Sequence, residues 1–370
     1  MGRLQQSARC GRLDEMNALQ MTVLITTYNY GQFIDEAIES VLAQVFPPDR
    51  VEILVIDDGS TDDTPQRLKK YGSRINYFYK PNGGQASALN FGIAHARGEI
   101  IALLDADDLF LPGKLARIVE AFQRDPTLGM VYHRLWEWHM RTDERHEWKH
   151  FNPVSGDIYK VPDQFLLYVT QPTSCVAFRR ASIEGLLPIP ESIRMLADCY
   201  LVALIPFLSP ILAIPEFLGL YRIHGSNCYY EDERQLPVDV TKSRLQMWQI
   251  LIDAMGKWLA DNGYAQSDPP VRCFLERWSL YQESQWFTLN PPGRLRFFRY
   301  LRACSSYYRP HMNWRFRVVS NFNAFGSLLL GYRHFYLLDQ WRSKIVRFVR
   351  RIFSLPTGGR PNEQAPSPKV

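Results

Sequence analysis

Hydrophobic and polar positions along this chain switch between two periods. Uninterrupted apolar or β-branched runs at residues 21–27, 51–56, 75–79 and 100–104 have the length and composition of strands buried on both faces. Between them the period lengthens. Phe33, Ile34, Ala37, Ile38, Val41 and Leu42 recur at helical spacing until Phe46-Pro47-Pro48 stops the run. A second helix, capped by Ser60 or Thr61, is predicted to reach about residue 71, and a third spans 86–96. Strands alternating with helices over residues 21–104 predict an α/β fold with a doubly wound, mostly parallel sheet.

Beyond Pro112 the pattern predicts a helix to residue 124 and an alternating strand over 130–138. That strand turns at 141–145 and returns through Trp148, as a hairpin leaving the sheet, with Trp136, Trp138 and Trp148 either lining an acceptor site or packing the hairpin. A short helix near Phe165 and a strand at 174–179 follow. Residues 199–215 carry no charge, but Pro206, Pro210 and Pro215 argue against a membrane-spanning helix. The expectation is a buried helix starting near Asp198 and a strand over 211–214. The polar, irregular stretch 227–239 marks a domain boundary, so the first domain is expected at 21–227 and a mainly helical C-terminal region at 228–334.

Residues 335–354 form the clearest amphipathic stretch. Leu337, Leu338, Trp341, Ile345, Phe348, Val349 and Ile352 share one stripe, and Arg342, Lys344, Arg347, Arg350 and Arg351 lie largely off it. Such a helix suits a membrane interface or a docked position on its own domain. Residues 1–20 read as a flexible leader without a signal sequence, and 355–370 as a disordered tail.

Composition adds one asymmetry. The net charge of +5 conceals a C-terminal block, residues 294–351, with 13 Lys/Arg against the single acid Asp339. An anionic partner follows, a membrane surface in preference to nucleic acid. Six scattered cysteines with no C-x-x-C pair indicate reduced thiols and a cytoplasmic protein, peripheral on the inner face of the cell membrane if the basic helix binds there.

The candidate chemistry lies at the carboxyl ends of the strands. Two strands deliver acids to loops, Asp57-Asp58-Gly59-Ser60-Thr61-Asp62 and Asp105-Ala106-Asp107-Asp108. Three carboxylates on one loop repel one another unless a hard divalent cation carrying phosphate oxygens sits among them; the alternative is a loop that caps the next helix. Asn82-Gly83-Gly84-Gln85 leads into a helix, either as a plain turn or as a close approach that aims N–H groups at an anion.

As an ordered set, Val23-Leu24-Ile25-Thr26-Thr27-Tyr28-Asn29, Val55-Ile56-Asp57-Asp58-Gly59-Ser60-Thr61-Asp62, Asn82-Gly83-Gly84-Gln85, Asn90 with Gly92, Ala96-Arg97-Gly98-Glu99 and Asp105-Ala106-Asp107-Asp108 resemble the family 2 glycosyltransferases of the GT-A fold. The resemblance covers residues 21–227. It implies transfer of a sugar, with inversion, from a nucleotide-diphosphate donor, UDP-sugar favoured, to a glycan or lipid-linked acceptor in cell-surface glycan or polysaccharide synthesis. It places Thr26, Tyr28, Asp58, Gly84, Arg97 and Asp105 on the donor, and Asp105, Asp107 and His224 on Mn²⁺ or Mg²⁺. Asp198 stands where the family keeps its catalytic base, with Ala197 in place of the usual first acid; the competing reading of Asp198 is a helix N-cap. Arg222, in the segment 221–227 that resembles the family's closing segment, is either a phosphate contact or a structural ion-pair partner. Two rivals remain at this stage. A haloacid dehalogenase-like phosphatase also starts with Asp-x-Asp after a strand but wants Thr or Val where Leu109 stands, and a catalytically inactive scaffold would keep the fold alone.

Overall fold

The computed structural model describes residues 20–148, 151, 153–161, 171–225, 227 and 237–308. The expected leader (apart from Gln20), the helix near Phe165, the amphipathic stretch 335–354 and the tail lie outside them. The chain divides into two compact units, one ending at Leu289 and one beginning at Asn290.

The apolar runs form strands β1 (Met21–Thr27), β2 (Val51–Asp57), β3 (Asn76–Tyr79) and β4 (Ile100–Asp105), with helices α1 (Gly31–Leu42), α2 (Thr64–Leu68) and α3 (Gln85–His95) between them. Apart from a one-turn helix at Arg180–Ile183 and short 3-10 turns, the remaining elements of the first unit are β5 (Leu109–Phe110), α4 (Lys114–Arg124), β6 (Met130–His139), β7 (Glu144–Glu147), β8 (Val176–Arg179), α5 (Ala197–Leu204), β9 (Ile211–Ile223), α6 (Val238–Asp261) and α7 (Pro269–Leu289). Nine strands make one sheet in the order β3-β2-β1-β4-β8-β6-β9-β5, with β7 paired to β6. The first four are parallel, and beyond β4 parallel and antiparallel pairs mix.

Register explains why the acids share one edge. Thr27 pairs with Asp57, and Thr26 lies between Ile56 and Asp105. Three loops therefore leave the sheet side by side at the carboxyl ends, where ligands bind in open α/β sheets. Alternate side chains go to opposite faces. Val23, Ile25, Ala102 and Leu104 pack under α1 and α4, while Leu24, Ile101 and Leu103 pack under α3, α5, α6 and α7.

Several expectations change. Strand β6 does not leave the sheet; it lies between β8 and β9, and only its second half carries β7. Strand β9 runs well past 214, because Pro215 and Glu216 fall in a register shift against β6 and leave the ladder intact on either side. The second helix starts later than expected, with Asp63 at its N-cap instead of Ser60 or Thr61, and its five residues run on into a 3-10 stretch over Lys69–Arg74; the Ser60 hydroxyl accepts Asn29 N–H at 2.9 Å. Past residue 227, α6 and α7 join the sheet's core through Trp248, Leu251, Met255, Phe274 and Trp278. Trp258 Nε1 also donates to Gly185 O at 2.9 Å, and Tyr264 OH to Phe207 O at 2.7 Å. The described part of the second unit, residues 290–308, holds helix α8 (Arg294–Tyr308). Among the described residues, no helix is long and apolar enough to cross a membrane.

Candidate active site

Strand β4 ends in a tight turn, with Asp108 N–H donating to Asp105 O at 3.1 Å. Pairing of β5 with β9 then fixes the loop from the far side. Carboxylate oxygens of Asp105, Asp107 and Asp108 lie within 4.8 Å of one another, a cluster of hard oxygen donors suited to a small divalent cation. Burial, then repulsion from Asp107, pushes the Asp105 and Asp108 carboxyls well above the usual carboxylate range. Asp198 adds to the repulsion on Asp105. The loop is thus built with more negative charge than its own surroundings neutralise.

Arg222 supports this loop from beneath. It is fully buried, its guanidinium lies 4.9 Å from the Phe33 ring centroid and 5.0 Å from that of Trp138, and Nη2 pairs with Glu36 at 2.9 Å. Its backbone N–H donates to Asp108 Oδ1 at 2.9 Å and Nε to Asp107 O at 2.6 Å. Of its two expected roles, structural partner is the one observed. His224 stands next to it, Nε2 3.0 Å from Asp107 Oδ2 and its ring 4.5 Å from that of Phe33. His224 is therefore at the site, beside Asp107 rather than within the three-acid group.

Asp198 reaches the same place from 90 residues further along the chain. Leu196, at φ +67°, is the N-cap of α5, so Asp198 sits inside the first turn and is not the cap. Thr173 Oγ1 donates to Asp198 Oδ2 at 2.9 Å, and burial raises the Asp198 carboxyl. The segment before α5 is held by residues of the Asn82–Asn90 motif. Gln85 Oε1 accepts Ala197 N–H at 2.9 Å, Gln85 N–H donates to Arg194 O at 2.8 Å, and Asn90 exchanges two 2.8 Å bonds with Ile189.

The glycine turn does different work from the anion cradle considered above. Gly83 and Gly84 N–H donate to Asp58 Oδ1 and Oδ2 at 2.9 and 2.7 Å, and Lys80 Nζ meets Oδ1 at 2.6 Å. The anion these amides hold is the chain's own Asp58, so any base contact by Asp58 shares oxygens that already accept three bonds. Gly84 has φ +88°, and a Cβ there would come within 2.8 Å of Arg194 Cα, so no other residue fits this approach. Thr26 is half-buried beside Asp105 and Tyr28 is 46% exposed on the next loop, both at the expected edge.

Arg97 is a correction. It precedes β4, and its N–H and Nε donate to Glu52 at 2.6 and 2.9 Å, where Glu52 pairs with Thr22 near the start of β1. That is the amino edge of the sheet, a strand's length from Asp105, and no donor held at the carboxyl edge reaches it. Nearness in sequence to β4 does not carry a residue to the strand's other end.

Sequence reasoning also passed over the turn at Thr173–Cys175. Ser174 Oγ accepts Asp105 N–H at 3.0 Å, and the fully buried Lys114 donates from Nζ to Ser174 O at 2.7 Å. Burial holds the Lys114 amine well below its ordinary value. A lysine at a helix start next to an acidic loop was the available signal.

Comparison with known proteins agrees with this architecture. The family model described as Glycosyl transferase family 2 matches residues 22–187. An uncharacterized glycosyltransferase of Nostoc sp. is 33% identical over 282 residues, covering 72% of this chain and 84% of the relative. One from Rickettsia typhi is 44% identical over 95 residues, 26% of this chain and 29% of that relative. Among solved structures, S. aureus TarS 1–349 in complex with UDP superposes with a TM-score of 0.54 at 16% identity, covering 88% of this chain and 92% of that one. The mannosyltransferase PcManGT from Pyrobaculum calidifontis, in complex with GDP-Man and Mn²⁺, gives 0.50 at 20% identity, covering 90% and 87%. These two likenesses speak for the GT-A fold. With the Nostoc relative matched over most of both chains, this chain belongs to glycosyl transferase family 2 and is a glycosyltransferase.

Proposed function

We propose that this glycosyltransferase is metal-dependent and inverting, and that it moves a sugar from a nucleotide diphosphate, a UDP-sugar in the first instance, to the hydroxyl of a glycan or lipid-linked acceptor. The observation that carries the reading is the meeting of Asp198 with the Asp105–Asp107–Asp108 loop across one threonine hydroxyl. The loop suits Mn²⁺ or Mg²⁺ by its oxygen donors, with Asp105 and Asp107 as ligands and the His224 imidazole beside Asp107 favouring Mn²⁺. When bound, the cation supplies positive charge to the departing diphosphate. Asp198 accepts the acceptor hydroxyl's proton as the oxygen bonds to the anomeric carbon from the face opposite the diphosphate. The bond to the diphosphate breaks with its electron pair, which leaves the sugar inverted. Thr26 and Tyr28 line the donor side. UDP in TarS and GDP-Man with Mn²⁺ in the Pyrobaculum enzyme support the donor class.

The basic block at 294–351 supports a cytoplasmic enzyme resting on the inner membrane face and building a cell-surface glycan. Calorimetric titration with UDP, GDP and other nucleoside diphosphates, each with and without Mn²⁺, tests the donor site. Metal-dependent binding of one nucleotide is expected, and no binding by any of them overturns the reading in favour of a scaffold. Deleting residues 335–370 should move the protein from the membrane fraction to the soluble one; an unchanged distribution removes the membrane role.

A further inference from the structure

The turn Thr173–Cys175 touches both Asp198 and the Asp105 loop, and the proposal above, which uses the Thr173 hydroxyl only as their meeting point, gives the turn no task in the reaction. Its Ser174 hydroxyl accepts the Asp105 amide N–H at 3.0 Å, its Ser174 carbonyl accepts Lys114 Nζ at 2.7 Å, and Cys175 N–H closes the turn on Pro172 O at 3.0 Å. Thr173 and Ser174 are themselves buried. The turn is therefore clamped to the acidic loop and to the start of α4, and moves with them. From that platform Thr173 Oγ1 donates to Asp198 Oδ2 at 2.9 Å.

We infer that Thr173 is a positioning residue: through a turn fixed to the Asp105 loop, its hydroxyl holds the Asp198 carboxylate at a set distance and orientation from the donor's diphosphate site. The inference rests on Asp198 being the base. A hydroxyl has one proton to donate. Committed to Asp198 Oδ2, that proton keeps the carboxylate from rotating and favours its charged form in a buried site. The Gln85 side chain and the first N–H groups of α5 also bond the Asp198 carboxylate, but they come from α3 and α5; Thr173 is the contact that ties it to the turn fixed on the Asp105 loop. Alignment of base and leaving group is worth orders of magnitude in rate, so this bond should act on turnover and not on donor affinity.

The test uses the full-length protein and Mn²⁺, with UDP-GlcNAc, UDP-glucose and GDP-mannose offered in turn and water as acceptor, following nucleotide release. Thr173→Val, which keeps the shape and removes the hydroxyl, should slow turnover between about tenfold and a hundredfold, as expected for a hydrogen bond to a charged group. Calorimetric Mn²⁺–nucleotide binding should stay within about twofold of wild type, and Thr173→Ser should recover most of the rate. In an Asp198→Asn background, Thr173→Val should cost nothing further, because the two groups act as one unit. Wild-type turnover in Thr173→Val overturns the inference, as does an undiminished extra loss in the Asp198→Asn background or a failure of Thr173→Ser to rescue. If wild type releases nucleotide from none of the three donors, the transferase chemistry proposed above fails first, and the inference with it.

Discussion

Two loops at the same edge of the sheet carry adjacent aspartates, and their surroundings differ. The Asp57–Asp58 loop is supplied with donors by its own chain: Ser60 N–H and Tyr77 OH on Asp57, and Gly83 N–H, Gly84 N–H and Lys80 Nζ on Asp58. The Asp105–Asp108 loop receives few. Arg222 lies beneath it, but its guanidinium pairs with Glu36 and the Asp107 carbonyl, while only its backbone N–H reaches a carboxylate of the loop, that of Asp108. Asp105 and Asp108 keep carboxyls raised by burial and mutual repulsion. Both loops look alike as strings of acids. What separates them is whether the fold has already provided the donors: the Asp58 carboxylate has three, while Asp105 and Asp108 stay raised by burial and repulsion.

The largest test of that contrast is Asp107→Ala. It should abolish Mn²⁺-dependent nucleotide binding and lower transfer by about a thousandfold, the loss of several kcal/mol of charge stabilisation, while the metal-free protein unfolds at an unchanged or higher temperature. Calorimetry and a thermal melt read both. Asp58→Ala should invert the pattern, costing about 2–4 kcal/mol of stability because buried donors lose their acceptor. Denaturant unfolding measures that loss, and a neutral result contradicts the structural part assigned to these bonds.

Smaller effects sharpen the comparison. Saturating Mn²⁺ should stabilise the wild-type protein by about 2.7 kcal/mol at a hundred times its Kd. Asp105 and Asp108 are raised in the folded state, so the metal-free protein binds more protons folded than unfolded. Its stability contribution from these acids falls as pH rises from about 3.9, the ordinary Asp value, through the raised ones. The metal must displace those protons, so its stabilising effect should shrink in mild acid; a shift that grows on acidification contradicts the assignment. Transfer itself should fall on the acid side as Asp198, also raised, becomes protonated. The smallest expectation is Arg97→Ala. With a side chain 63% exposed at the amino edge, its loss should leave donor affinity and turnover unchanged and cost at most about 1 kcal/mol.

Legibility follows how far apart the interacting groups are in the chain. Strands β1, β2 and β4 were readable because a buried parallel strand needs a continuous apolar run, and the acids were placed because they end those runs. Asp198 was found by resemblance, on the order of motifs. The Thr173 bridge left no trace, since Thr173 lies 68 residues after Asp105 and 25 before Asp198, and neither spacing is a period of any local structure. Arg222 showed its charge in the sequence but not its burial between Phe33 and Trp138, three segments that only the sheet and α1 bring together.

By itself, then, the chain's pattern of apolar runs and loop acids determined which elements form, which edge of the sheet bears chemistry and which family the protein resembles. Those are local matters, decided by side-chain period and by what can leave a strand's end. Tertiary structure alone decided which acids are already satisfied, that Arg97 faces the other edge, that Asp58 holds the glycine turn, and that one threonine joins Asp198 to the turn fixed on the Asp105 loop. Each depends on donors delivered from distant segments, and a carboxylate's charge, orientation and availability are set by those donors and by burial, which exist only once the sheet has closed.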